Sequence, residues 1–186
     1  MHESVMAFVG RYATAMNIEG KHVLEVGSYD VNGSVRPLLE ARAPVEYIGT
    51  GMRAGPGVDI ALPAEKLAAH FGEESFDVVV CAEMLEHALD WRAAISNLKA
   101  VLKSDGLLLL TTRGRGFPLH DYPSDHWRFE VSDMLKIFDD MLLFEVVSDP
   151  QAPGVFVAAR KLDAGVSLRG PVRLAEIEVH SMKVPA

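Results

Sequence analysis

Phe76-Asp77-Val78-Val79-Val80-Cys81-Ala82-Glu83-Met84-Leu85-Glu86-His87 is the stretch on which the fold turns. Its first half is apolar and β-branched on consecutive residues. That pattern belongs to a strand covered on both faces, the situation of a parallel sheet sandwiched between helices. Its second half becomes polar at once, placing Glu83, Glu86 and His87 where such a strand ends. In open parallel α/β sheets, ligands sit at those carboxyl ends.

Working outward, the same grammar repeats. Towards the C-terminus, Asp90 is a helix cap ahead of Ile95, Leu98, Val101 and Leu102 at helical spacing, and Gly106 precedes a second fully apolar strand, Leu107 to Thr112. Ser132 is placed to cap a helix from Asp133 to Phe138. Strands follow near 142–147 and 154–159, joined by so short a connection, Asp149 to Pro153, that they must pair antiparallel. Towards the N-terminus lie a helix from Pro63 to about Phe71, a very short strand Val58-Asp59-Ile60, a strand Val45 to Gly49, and a helix capped by Ser34. His22-Val23-Leu24-Glu25-Val26 is a buried strand ending at Gly27, and Val5, Val9, Tyr12 and Met16 give an amphipathic helix over residues 3–17. The fold class is therefore α/β: a Rossmann-like, mostly parallel seven-stranded sheet with helices on both faces and a terminal antiparallel hairpin. Residues 1–162 make one domain, with residues 1–18 as its N-terminal helix. Residues 163–186 are a tail in which Val172, Leu174, Ile177 and Val179 suit an extra strand or an interface arm for a homo-oligomer.

Composition narrows the function. Lysine plus arginine number 18 against 26 acids, a formal charge of −8. Without a basic run the chain is poorly equipped to neutralise phosphates, so no nucleic-acid partner is expected. Cys81 is the single cysteine, which rules out an intrachain disulfide. Met1-His2-Glu3-Ser4 lacks the pattern of a signal peptide, and no apolar run approaches the ~20 residues of a membrane span. No membrane partner is expected, and the expected location is cytoplasmic.

Four segments taken together carry a resemblance. They are Val23-Leu24-Glu25-Val26-Gly27-Ser28 continuing to Asn32-Gly33; Tyr47-Ile48-Gly49 to Gly57-Val58-Asp59; Phe76 to His87; and Val101-Leu102-Lys103-Ser104-Asp105-Gly106 before the strand ending at Leu110. In order and spacing, over roughly residues 20–160, the chain resembles the class I S-adenosylmethionine-dependent methyltransferases of the small-molecule "type 11" group. The resemblance implies S-adenosylmethionine as cofactor. It implies cofactor contacts from Glu25, Gly27 and Ser28 after the first strand, Gly51 and Met52 after the second, Asp59, Ala64 and Glu65 around the third, and Cys81 and Glu83 after the fourth. The family usually has an acid for the ribose hydroxyls where this chain has Gly51, and another for the adenine amino group where it has Pro63. Asp59 and Glu65 are the carboxylates nearest in sequence to stand in. A dinucleotide-binding reading fares worse, because Tyr29 and Asn32 occupy the later glycine positions of a G-x-G-x-x-G loop and the acid is absent there too.

Methyl transfer from a sulfonium needs donor and acceptor held in line, plus a base when the acceptor is a hydroxyl. His87, His120 and Asp121 are the candidate catalytic residues. The segment Phe117-Pro118-Leu119-His120-Asp121-Tyr122-Pro123-Ser124-Asp125-His126-Trp127-Arg128-Phe129 follows the fifth strand and resembles one in family members associated with surface glycans. The expected acceptor is an oxygen of a small molecule or glycan. Trp127 and Phe129 are expected in the core, and Arg128 beside an acid. His120, Asp121, Asp125 and His126 match no established metal spacing, so no metal is expected. The alternative is a non-catalytic relative serving in binding or assembly, favoured by Gly51 and Pro63.

Overall fold

A computed structural model describes residues 2–120, 124–163, 166 and 172–182. Its strands are β1 (His22–Val26), β2 (Glu46–Gly51), β3 (Ile60–Ala61), β4 (Phe76–Ala82), β5 (Leu102–Arg113), β6 (Trp127–Arg128), β7 (Met141–Ser148), β8 (Gly154–Lys161) and β9 (His180–Ser181). Its α-helices are α1 (Glu3–Tyr12), α2 (Ala15–Ile18), α3 (Arg36–Glu40), α4 (Leu67–Phe71), α5 (Trp91–Val101) and α6 (Val131–Ile137). Seven strands form one sheet in the order β3-β2-β1-β4-β5-β8-β7, and β6 pairs with β9 apart from it. The first five run parallel, and β8 is antiparallel to both β5 and β7, which makes the expected terminal hairpin.

The pleat sorts the core into two layers, because successive side chains on a strand point to opposite faces. Val78 and Val80 of β4 join Val23, Val5, Phe8 and Leu39 under α1 and α3. Val79 and Cys81 join Leu24, Trp91, Ile95 and Leu98 under α5. The run of apolar residues in β4 is thus consumed on both sides, as the quoted stretch requires. Asp90 caps α5, its carboxylate accepting the N–H groups of Arg92 and Ala93 at 3.0 Å each.

Several expected boundaries move, each for a local reason. The helix drawn over residues 3–17 is two, because Thr14 is extended and its hydroxyl accepts the Asn17 N–H to start α2. β3 shrinks to Ile60–Ala61 since Asp59 is spent on a turn. β5 begins at Leu102, before Gly106, with a register shift against β4 and Asp105 at φ 59°. α6 is opened by a capping box of Glu130 and Asp133 in place of Ser132. The described stretch of the tail at 172–182 lies against its own chain: Ile177 is buried, and Arg92 donates to the carbonyls of Leu174 (2.9 Å) and Ile177 (2.6 Å). Among the described residues, no helix is long and apolar enough to cross a membrane.

Candidate active site

The turns leaving β1, β2 and β4 converge, with the end of β5, on a cavity of about 300 Å³ at the carboxyl edge of the sheet. Its walls include Gly27, Tyr29 and Asn32 after β1, Gly51, Met52 and Arg53 at β2, Ala64 and Glu65 after β3, Glu83, Met84 and His87 after β4, and Arg113, Phe117 and His120 from β5 onward. The volume falls at the lower end of the ~300–1,000 Å³ common for small-molecule sites.

On the β1–β2 side the wall is largely backbone and apolar surface. Gly27 has φ 84°, and a Cβ there would meet the Met84 side chain at 2.4 Å. The glycine therefore allows the β1 and β4 turns to touch, and Met84 fills the approach that the sequence assigned to a ligand. At Gly51 a Cβ would stand 3.0 Å from Val58 Cγ2, a tight fit to which Val58 would have to yield by a few tenths of an ångström. Glu25 does not reach the cavity lining. Its carboxylate is buried and accepts the Tyr47 hydroxyl at 2.7 Å. Burial pushes its carboxyl up to about 7, against the opposing pull of Tyr47. Ser28 turns its hydroxyl to the Thr50 carbonyl (3.2 Å), away from the lining. Asp59 is also off the wall, accepting the Gly49 N–H at 2.6 Å and Arg36 at 2.7 Å. Partial burial raises its carboxyl, but Arg36 and the Gly49 N–H outweigh that and hold it below the usual range. Of the two stand-in carboxylates, only Glu65 faces the cavity.

The β4–β5 side is built from buried ionisable groups. Glu83 sits at φ 55°, held there by its N–H donating to the Thr111 carbonyl at 3.0 Å. Its carboxylate pairs with Arg113, whose other terminal nitrogen lies 3.5 Å from Asp149 and whose guanidinium stacks 4.2 Å from the Phe117 ring centroid. Oε1 of Glu83 has no hydrogen-bond partner. Glu86 is fully buried; Oε2 accepts the Thr112 hydroxyl at 2.9 Å and Oε1 accepts nothing. Burial raises both carboxyls, Glu86 adding to the rise at Glu83 and Asp125 to that at Glu86. Cys81 is wholly buried beneath this wall, burial raising its thiol, and it does not line the cavity.

His87 and His120 meet edge to face, ring centroids 4.9 Å apart, on the cavity wall. Nδ1 of His87 bonds the Ser124 carbonyl, and Nδ1 of His120 stands 2.9 Å from Asp125. Burial lowers the His120 imidazole, with Asp125 opposing. Asp121 lies outside the described residues; the acid facing His120 is Asp125. Asp125 itself is clasped by both terminal nitrogens of Arg128, which also donates to the carbonyls of Phe117 (3.3 Å) and Pro118 (3.0 Å). One buried arginine thus ties Phe117 and Pro118, just after β5, to Asp125. Trp127 donates to the Ala88 carbonyl at 2.8 Å, and Phe129 packs edge-on to Trp91. The sequence reading missed Arg113, Asp125 as the histidine's acid, and the central place of Glu86. The available signal was Thr111-Thr112-Arg113, a polar strand end directly after four leucines.

Comparisons with known proteins agree with this architecture. Residues 1–140 match the family model of the methyltransferase domain. The ubiquinone biosynthesis O-methyltransferase of Actinobacillus pleuropneumoniae serotype 7 is 31% identical over 121 residues, 54% of this chain and 49% of that protein. The enzyme of the same name from Haemophilus ducreyi is 55% identical over 42 residues, 23% of this chain and 18% of that protein. The chain therefore spans about half, or less, of the length of these curated relatives. A crystal structure of the Burkholderia thailandensis 1,6-didemethyltoxoflavin-N1-methyltransferase with S-adenosylhomocysteine superposes with a TM-score of 0.66 at 15% identity, covering 87% of this chain and 80% of that one.

Proposed function

The chain belongs to the methyltransferase domain family, and from that premise we propose that it transfers a methyl group from S-adenosylmethionine to a hydroxyl oxygen of a small molecule or glycan. The observation that carries the reading is the cavity itself, where the turns after β1 and β2 meet a histidine pair, His87 from the turn after β4 and His120 from beyond β5. The residues fit the cofactor: Met52 and Met84 offer apolar surface, Glu65 a carboxylate, and Glu83 Oε1 an unsatisfied acceptor suited to an ammonium group. When bound, the cofactor supplies an electrophilic methyl on sulfonium, whose carbon–sulfur bond breaks as the carbon–oxygen bond forms.

The chain's own residues then do three things. The β1 and β2 turns orient the donor. Phe117 and His120 line the acceptor side. His120 takes the proton from the acceptor hydroxyl at Nε2, its ring aimed by Asp125 through Nδ1 and its basicity suited to neutral pH. Among the described residues, Asp125 is the acid beside this histidine. The curated relatives named for oxygen methylation support an oxygen acceptor.

The test is a thermal shift with S-adenosylhomocysteine, followed by transfer assays on phenolic and sugar hydroxyl acceptors. A ligand bound only by the folded state raises the melting temperature. His120→Ala is expected to keep that shift while losing about 10²–10⁴-fold in transfer rate. No shift at millimolar ligand sinks the proposal and favours a non-catalytic relative.

A further inference from the structure

We propose that Glu86, His87 and His120 form a binding site for one divalent transition-metal ion, of the zinc class, open to the cavity. One ligand atom from each lies within 4.8 Å of the others'. The site deepens the functional reading above, since a metal there would face the acceptor hydroxyl, but the binding claim stands on separate geometry.

Four features point to a cation. Glu86 Oε1 is a buried acceptor with no hydrogen-bond partner, on a side chain with no exposed surface. Among the described residues, only His87 and His120 bring a basic nitrogen within 4.0 Å of it, Nε2 at 3.9 and 3.8 Å. Both are too long for a hydrogen bond. Two ligands bound tetrahedrally at ~2.1 Å from zinc stand roughly 3.4 Å apart, so the gap closes by about half an ångström. Second, Nδ1 of His87 bonds the Ser124 carbonyl and Nδ1 of His120 stands 2.9 Å from Asp125, while Nε2 of each ring is the nitrogen nearest Glu86. A histidine backed by a carboxylate or carbonyl is the usual outer support of a metal ligand. Third, Oε2 of Glu86 is anchored by Thr112, so the carboxylate is already oriented. Fourth, the neighbouring arginines are occupied: Arg113 pairs with Glu83 and Asp149, and Arg128 with Asp125.

Two histidines and one carboxylate suit zinc with a fourth position left open, or iron and its neighbours with more. The open position looks into the cavity, because His87 and His120 line it. With the ion in place both ring nitrogens are ligands. The task of acidifying a hydroxyl then passes from His120 to the metal, and the proton leaves to solvent. Sequence spacing hid the set, since its members come from the turn after β4 and the segment after β5.

The experiment uses the full chain, free of any histidine tag and stripped with chelator. Titration with Co²⁺ is expected to give one equivalent of saturable uptake with visible absorption, displaced by Zn²⁺. His120→Ala, at a half-exposed position, is expected to weaken uptake at least about tenfold; Glu86→Gln, which keeps shape, does the same. No stoichiometric uptake, or uptake unchanged in both folded variants, overturns the site. Binding of S-adenosylhomocysteine is measured on the same metal-free sample. Cobalt uptake without that binding sinks the methyltransferase reading and keeps the metal; the reverse result does the opposite.

Discussion

The two walls of the cavity are made in different ways. On the β1–β2 wall, Gly27, Gly51 and Met52 present backbone and apolar atoms, and the nearby carboxylates Glu25 and Asp59 turn inward to Tyr47 and to Arg36. On the β4–β5 side, ionisable groups with little exposed surface are paired, Glu83 with Arg113 and Asp125 with Arg128, while Glu86 lies buried on the Thr112 hydroxyl. The first wall is a shape that fits a ligand; the second is an electrostatic arrangement that acts on one. Burying charge is costly unless it is paired, so the second wall stores its stability in a few pairings and should be the fragile one.

Arg128→Ala tests that fragility most severely. It leaves Asp125 buried without its partner and cuts the links to Phe117 and Pro118. The expected loss is about 3–5 kcal/mol of unfolding free energy by urea titration. Arg128→Lys keeps the charge but not the two-pronged grip and should fall between the two. A loss under ~1 kcal/mol for the alanine variant would mean that Phe117 and Pro118 are not tied down by this pair.

Glu25→Gln probes the other wall, where a buried carboxylate accepts a tyrosine hydroxyl, and burial outweighs the pull of that hydroxyl and of Arg36. With its carboxyl raised to about 7 from 4.5, the folded state holds the proton more tightly than the unfolded state. The stability it contributes is full below pH 4.5 and drains away as pH rises through 7. Glutamine keeps the acceptor for Tyr47 and removes the titration. The variant should match wild type near pH 4.5 and exceed it at pH 8.5 by roughly 3 kcal/mol. Glu83 and Glu86 shift in the same direction, so the difference between the two proteins is the quantity to measure. Equal pH profiles would show that Glu25 is solvated.

The contrast also explains what could be read from the sequence. The mostly parallel sheet, the two-layer core and the hairpin follow from local patterns such as Val78 to Cys81 and the short link Asp149 to Pro153, and these survive in the structure. The backbone-built wall was legible for the same reason: glycines after a strand end announce a close approach, although at Gly27 the neighbour is Met84. The charged wall was half hidden. A single sequence gives no sign that Glu83 meets Arg113, or that Asp125 faces His120, because those partners are set by which segments lie side by side. Boundaries failed where one side chain decides them, as with Thr14 and Glu130.

Gly51→Asp asks whether the lean wall can be made to bind more strongly. A hydrogen bond to a charged group contributes ~1.5–3 kcal/mol, or about ten- to 150-fold in affinity. Since the new Cβ must displace Val58 Cγ2 from 3.0 Å, the expected gain in S-adenosylhomocysteine affinity is nearer tenfold, read by calorimetry. Val58→Ala in the same chain removes the crowding and should raise the gain. Tight wild-type binding with no gain from either change would show that the acid belongs elsewhere in the loop.

Thr112→Val is the gentlest change, and it reports on the charged wall without breaking a pair. Valine keeps the volume of this buried residue and removes the hydroxyl that Glu86 Oε2 accepts at 2.9 Å. Burial raises the Glu86 carboxyl, and the Thr112 hydroxyl opposes that rise by favouring the charged form. Losing it must therefore cost little where Glu86 is protonated and more where it is ionised. The expected cost is about 0.5–1.5 kcal/mol at pH 5, growing towards ~1.5–3 kcal/mol at pH 9. Saturating Co²⁺ should shrink the pH dependence, because an ion on Oε1 holds the carboxylate charged at both ends of the range. A cost independent of pH would place the proton of Glu86 outside this window and leave the hydroxyl a merely local contact.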